Sequence, residues 1–275
     1  MERRAFRAMG TEIELLVDAD EAWRELDAAE QEFHRLEQLL SRFRPDSELS
    51  RLNDAGFVDA SPDLARVVEL ALAARERTGG RFDPTVHDAL VAAGYDRSFE
   101  LVEADAPLRA ASPVACRGRV RLDGNRIELA EGVRLDLGGI GKGYAADRAA
   151  ELLALAGPCL VNAGGDVAIR GGTWPVGVAA GVTLELSSGA LATSGRDRRC
   201  WRREGRELHH LIDPATGEPA ETDLLRVTAF GEDAVDAEVL AKWLLLAGEK
   251  EAASAGVPCV IVTAAGRVRL AGGLA

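Results

Sequence analysis

Asp136-Leu-Gly-Gly-Ile-Gly-Lys-Gly-Tyr144, DLGGIGKGY, is the densest signal in the chain, and its reading decides the fold. A glycine-rich loop opening a helix suggests the phosphate sites of parallel α/β nucleotide folds, yet it matches neither of their motifs. In a Walker A loop Ser or Thr follows the lysine to hold magnesium, whereas Gly143 follows Lys142 here. The glycine spacing also departs from the dinucleotide fingerprint. Two local readings remain. Glycines allow close approach of backbone N–H groups, the helix N-terminus favours an anion, and Lys142 adds a full charge, which together describe a phosphate site. The same letters also describe a tight strand-to-helix turn with a surface lysine.

Outward from this loop, hairpins dominate. Upstream, Arg119 to Ala130 alternates around Asp123-Gly124-Asn125 and predicts a β-hairpin. Downstream, the loop opens a helix through Tyr144, Ala145, Ala149, Leu152 and Leu153. Strands are predicted at Cys159 to Ile169, Trp174 to Ala179, Val182 to Leu186 and Arg226 to Phe230. A strongly apolar helix, Ala234 to Ala247, precedes closing strands at Pro258 to Thr263 and Val268 to Leu270. Near the start, Thr11 to Val17 reads as a strand. Trp23, Leu26, Ala29, Phe33, Leu36, Leu40 and Phe43 recur at helical spacing. Pro62 to Arg77 reads as a helix with proline in its first turn and Gly79-Gly80 at its end. Strands outnumber helices and hairpins mix with crossovers, so the fold class is α+β, with mixed, largely antiparallel sheets and packed helices. No Pro/Ser/Gly-rich linker divides the chain, and residues 1–275 are expected to form a single catalytic domain.

The composition is that of a globular protein, 47% hydrophobic and 28% charged, with a net charge of -12. Such a surface repels nucleic acid and anionic lipid, so neither is an expected partner. A phosphate ligand must find local positive charge, a helix N-terminus or a metal. The four cysteines, Cys116, Cys159, Cys200 and Cys259, lack metal-chelate spacing. The opening MERRAFRAMGTEIELLV has no apolar signal region, and no apolar run approaches the ~18 residues that span a bilayer. A cytoplasmic protein without membrane insertion is expected.

Three further clusters carry polar groups. In Leu160-Val-Asn-Ala-Gly-Gly-Asp166, Asn162 and Asp166 flank a glycine pair, where such residues usually satisfy their own backbone; that reading is preferred for Asp166. In His209-His210-Leu-Ile-Asp213-Pro-Ala-Thr-Gly217 the two histidines point to opposite faces if the segment is a strand, and Asp213 suits a turn. Ala192-Thr193-Ser194-Gly195 follows a strand but lacks the G-x-S-x-G of a hydrolase nucleophile.

The order of these segments says more than any one of them. Ala8-Met9-Gly10-Thr11, Ser41-Arg-Phe-Arg-Pro-Asp-Ser-Glu-Leu-Ser-Arg-Leu-Asn53, Thr78-Gly-Gly-Arg-Phe-Asp83-Pro-Thr85-Val86, DLGGIGKGYAADRAAELL, LVNAGGD, ATSG and HHLIDPATGEPA follow one another along about the whole chain. This series resembles the ApbE-type FAD:protein FMN transferases. The resemblance implies a two-lobed α+β fold with a flavin cleft. It implies magnesium-assisted cleavage of the FAD pyrophosphate, passage of FMN to a Thr or Ser hydroxyl of an acceptor flavoprotein as a phosphoester, and release of AMP. Such chemistry needs neutralised phosphate charge and in-line positioning.

Position by position, the resemblance makes Met9, Phe43, Phe82, Asp83, Gly138, Tyr144 and Leu211 contacts to FAD. It places Lys142 near the pyrophosphate with a part in catalysis, His210 as the catalytic histidine, and the Gly141 carbonyl on magnesium. One departure stands out. Where the family usually reads A-D-A-L-A-T, with Asp and Thr as metal ligands, this chain reads Ala237-Glu238-Val239-Leu240-Ala241-Lys242. Glu238 remains an oxygen ligand. Lys242 does not, because an ammonium has no lone pair. Asp236 could serve in another helix register, and a plain helical Glu238–Lys242 ion pair is the alternative. Two rival functions fit the same motifs: an FAD pyrophosphatase that uses water, and a non-catalytic FAD-binding protein.

Overall fold

The computed structural model describes residues 1–103, 105–106, 114–179 and 182–274. They divide into two compact units, each assembled from segments distant in sequence. The first comprises Met1–Glu37, Ile140–Ser194 and Asp223–Ala275; the second comprises Gln38–Gly139 and Gly195–Thr222.

The first unit is built on an eight-stranded sheet. In spatial order its strands are Glu2–Ala8, Thr11–Val17, Cys159–Ala163, Asp166–Ala179, Val182–Gly195, Leu224–Gly231, Cys259–Thr263 and Val268–Ala271. Pairing is antiparallel from Glu2–Ala8 through Val182–Gly195 and again from Leu224–Gly231 through Val268–Ala271. In TEIELLV the period-two pattern sends Ile13, Leu15 and Val17 into the core, all fully buried. The helix Trp23–Leu40 buries Leu26, Ala29, Phe33, Leu36 and Leu40 on one face. It stops short of Phe43. The Ser41 hydroxyl takes the Phe43 N–H at 3.2 Å, competing with helical bonding, and Pro45 disfavours helical backbone at Arg44.

Two helices cross in this unit: Gly141–Leu153, which follows the glycine loop, and the closing helix Ala234–Ala247. A Cβ on Gly143 would lie 2.6 Å from the Ala234 carbonyl oxygen, so only glycine permits the approach. One turn on, Asp147 accepts the N–H groups of Ala234 and Val235 at 3.0 and 3.1 Å, capping the neighbouring helix. Asp233 caps it from its own side by accepting the Asp236 N–H at 2.7 Å.

The second unit holds the predicted helix Pro62–Arg77 and the hairpin Val120–Asp123 with Arg126–Leu129. Its core gathers Phe43, Tyr95, Phe99 and Trp201, with ring centroids of 5.5 to 6.2 Å from Tyr95. The buried Trp201 indole donates to the Ala93 carbonyl at 2.8 Å.

Several expectations need correcting. Cys159 to Ile169 is two strands, not one, because Gly164 and Gly165 adopt positive φ and turn the chain. The strand predicted at Val182 to Leu186 runs on to Gly195, so Ala192–Gly195 lies within a strand rather than after it. Pairing with Asp166–Ala179 carries it through the polar Ser187-Ser188. The glycine loop ends at Ile140, where the helix takes over. Glu2–Ala8, Glu48–Ala55, His87–Ala92, Cys200–Arg203 and Arg206–His209 were not anticipated. The hairpin Cys200–Arg203 and Arg206–His209 is rich in arginine and has no strong apolar alternation to announce it.

Candidate active site

In the first unit, the motifs converge at one end of the sheet. Met9 and Gly10 form the two-residue turn between the first two strands, both at positive φ (53° and 68°). Such turns normally take Asn-Gly, so Met9 sits in a conformation unusual for its side chain, and its N–H is anchored on Glu37 Oε1 at 2.9 Å. A Cβ on Gly164 would overlap the Thr11 hydroxyl, so the turn of NAGGD packs on the turn of AMGT. Thr193 of ATSG donates its N–H to the Gly165 carbonyl at 3.1 Å, and its hydroxyl bonds that of Thr228 at 2.8 Å. Asn162 behaves as a turn residue, accepting the Gly165 N–H at 2.9 Å.

Asp166 does not. It is buried, and its Oδ2 lies 2.5 Å from Lys142 Nζ. The same ammonium lies 2.6 Å from Glu238 Oε1, while Glu238 Oε2 accepts the Gly143 N–H at 3.0 Å. The turn-capping reading of Asp166 is thereby overturned. The ammonium on Glu238 comes from Lys142, across the helix crossing, and was not foreseen as its partner. Burial raises the Asp166 pKa, against the pull of Lys142. Tyr144 is half-buried, and its N–H donates to the Ile140 carbonyl at 3.1 Å.

In the second unit, Phe43, Asp83 and Gly138 are drawn together by residues that sequence reasoning missed. Arg42, 5% exposed in its side chain, places Nε 2.5 Å from Asp136 Oδ2 and stacks over the Phe43 and Tyr95 rings at 4.2 and 4.8 Å. Asp136 Oδ1 accepts the Gly138 N–H at 2.8 Å, and the Asp136 N–H donates to the Pro84 carbonyl at 2.8 Å. Asn53 holds the backbone of Leu135 by both its donor and its acceptor, at 2.9 and 2.7 Å. Arg42 and Asn53 both belong to the quoted Ser41–Asn53 motif, which was the available signal. Gly138 itself is exposed.

Asp83 is the most telling polar group of this unit. Its side chain is fully buried; Oδ1 takes the Thr85 N–H and hydroxyl, both at 2.8 Å, and Oδ2 has no hydrogen-bond partner among the described residues. Arg75 Nη1 lies 3.8 Å from Oδ1, so a cation stands beside the carboxyl group. Phe82 and Leu211 are 3% and 2% exposed.

The histidine pair differs from the simple alternation expected. His209 ends the strand Arg206–His209 and His210 lies in the bend beyond it, its N–H donating to the Arg199 carbonyl at 3.3 Å. His209 is 5% exposed, its Nε2 lies 3.1 Å from the Ala220 carbonyl, and its Nδ1 accepts the Leu211 N–H at 3.3 Å. Burial lowers its pKa, so it is neutral near pH 7. It is a packed structural residue. With Arg206 and Glu218 it lines a cavity of about 440 Å³ that none of the expected site residues borders. Asp213 is a turn residue as read, accepting the Ala215 N–H at 2.8 Å.

Magnesium was expected on the Gly141 carbonyl and Glu238. Magnesium needs oxygen atoms free to coordinate it in near-octahedral geometry. The Lys142 ammonium stands between Glu238 Oε1 and Asp166 Oδ2, where an ion would bind, and Glu238 Oε2 accepts the Gly143 N–H. Among the described residues no group of three or more His, Cys, Asp or Glu side chains surrounds a common point. The donor set as built does not fit the ion.

Comparison with known proteins agrees with this arrangement of motifs. The model of the ApbE family matches residues 9–272, and the chain belongs to that family. A curated relative, the FAD:protein FMN transferase of Treponema pallidum (strain Nichols), is 30% identical over 98% of this chain and 87% of its own length. The FAD:protein FMN transferase of Escherichia coli (strain K12) is 28% identical over 78% of this chain and 69% of its own. Among solved structures, the ApbE protein of Thermotoga maritima superposes with a TM-score of 0.86 at 27% identity, covering 98% of this chain and 96% of the other. The α+β fold with antiparallel sheets is therefore established.

Proposed function

We propose that this chain is an FAD:protein FMN transferase. The observation that carries the reading is the family match over residues 9–272, with the Treponema pallidum relative aligned along 98% of the chain. Asp83, the carboxyl group of the Phe82-Asp83-Pro84-Thr85 segment, belongs to this reading as an FAD contact. Met9, Phe43, Phe82, Gly138, Tyr144 and Leu211 are the further FAD contacts of this reading.

In the reaction, the hydroxyl oxygen of an acceptor Thr or Ser attacks the FMN phosphorus. A P–O bond forms there and the bond to the bridging oxygen breaks, so AMP departs with that oxygen. The hydroxyl proton passes to the imidazole of His210, which acts as the general base. The N-terminus of Gly141–Leu153 offers backbone donors for phosphate oxygens. Lys142 acts at the pyrophosphate only to the extent that its charge is not spent on Asp166 and Glu238. No step passes through magnesium, because the Lys142 ammonium stands between Glu238 and Asp166.

We also read 1–275 as one catalytic domain, since neither unit is a contiguous segment. No helix among the described residues is long and apolar enough to cross a membrane, and a cytoplasmic location is part of the proposal, testable by cell fractionation. The decisive assay gives the purified protein FAD with and without a Thr-containing acceptor flavoprotein. The expected result is AMP release together with acid-stable flavin fluorescence on the acceptor. Equal AMP release without acceptor would make it a pyrophosphatase; FAD binding without AMP in either arm would make it a binding protein.

A further inference from the structure

We propose that Lys142 is the resident cation of the Asp166–Glu238 carboxylate pair, and that the pair takes a divalent metal only when this ammonium is removed. The two carboxyl groups come from different elements, the strand Asp166–Ala179 and the helix Ala234–Ala247. Both side chains are 5% exposed, and each places an oxygen within 2.6 Å of Lys142 Nζ. Two buried carboxylates facing one point repel each other strongly unless a cation lies between them. An ammonium is compact and carries three donors, so it can serve both at once.

The arrangement is locked from behind. The Gly143 N–H holds the second Glu238 oxygen, and the close crossing at Gly143 and Ala234 fixes the closing helix at that distance. For Glu238 Oε1 to turn onto a metal it must give up Lys142. Lys242, one turn further along the same helix, acts electrostatically on Asp166. The two carboxylates are thus matched by two lysines, and a divalent ion arriving from water meets little net negative charge to offset its dehydration. The inference concerns the cofactor of the transfer reading but does not depend on it, because metal binding is measured without FAD.

The test uses the full-length protein and Mn²⁺ as the probe, read by the loss of the free-ion electron paramagnetic resonance signal. Wild type is expected to leave Mn²⁺ free. Lys142→Met should take up one equivalent, binding at least about tenfold tighter than wild type. The double variant Lys142→Met/Glu238→Gln should lose that gain. Lys142→Met should also melt lower than wild type in chelator and recover as Mn²⁺ is added. Uptake of one equivalent by wild type that Glu238→Gln abolishes would overturn the proposal, as would no gain in folded Lys142→Met. Lys242→Thr alone, with Lys142 intact, should not bind Mn²⁺; if it does, Lys242 and not Lys142 is the blocking cation. Should Lys142→Met be too unstable to measure, Lys142→Gln takes its place with the same expected gain, and no gain in folded Lys142→Gln would overturn the proposal.

Discussion

Asp147 shows how a single residue couples burial to hydrogen bonding. Burial raises its pKa from the ordinary carboxylate value to about 6, although two backbone N–H groups and Arg170 favour the ionised form. Because the folded pKa lies above the unfolded one, the native state holds a proton that the unfolded chain releases. Stability from this group is therefore present at low pH and declines as pH rises from about 4 to about 6. One unit is about 1.4 kcal/mol, so the full effect is on the order of 3 kcal/mol. Urea unfolding of wild type and Asp147→Asn from pH 4 to 7.5 checks this: the wild type should lose stability relative to the variant over that window, and parallel curves would exclude the titration. The histidine pair divides in the same manner between structure and chemistry. His209→Ala leaves the Ala220 carbonyl and Leu211 N–H without their partner and should lower stability by about 1–3 kcal/mol. His210→Ala should keep FAD affinity and lower transfer by about 100-fold or more, measured as kcat with a saturating acceptor. Near-normal turnover would remove His210 from the proton-transfer role.

At the scale of elements, the crossing of Gly141–Leu153 with Ala234–Ala247 decides where Lys142 and Glu238 meet. Gly143 is the one contact that cannot accept a side chain, since its Cβ would press on backbone and not on a flexible side-chain end. Gly143→Ala is expected to push the helices apart, weaken the Gly143 N–H bond to Glu238 and lower the melting temperature by several degrees; a loss of about 2 kcal/mol is in the range of core overpacking. An unchanged melting temperature would show that the crossing has slack. The loop before this helix is held differently. Arg42 anchors Asp136 and Asn53 anchors Leu135, so the start of the loop is held by residues 94 and 82 positions upstream.

At the scale of the whole molecule, each unit is stitched from separate stretches of chain. The second unit takes Trp201 from its later segment to complete a core otherwise formed by residues such as Tyr95 and Phe99. A fragment spanning 38–139 lacks Trp201 and Leu208, leaves the Ala93 carbonyl without its indole donor, and is expected to be unfolded or molten. Circular dichroism and dye binding would test this; a cooperative unfolding transition from the fragment would show that Trp201 is dispensable. FAD should raise the melting temperature of the intact chain with rising concentration, by mass action, whether or not chelator is present.

What the sequence determined by itself was local in origin. Pro62–Arg77 was readable because proline stands in its first turn and Gly79-Gly80 follows its end, and Ala234–Ala247 because its run is strongly apolar. TEIELLV was legible because one face is buried and one is not. The order of the motifs carried the family and with it the expected substrate. The tertiary structure alone decided the polarity of the site. Whether Asp166 caps its own turn or meets a lysine depends on a residue 24 positions away, and Glu238 meets that same ammonium across 96 positions of chain. An ion pair of this sort has no periodicity and no local composition. It exists because Gly143 lets two helices approach and burial leaves the two carboxylates no solvent to prefer.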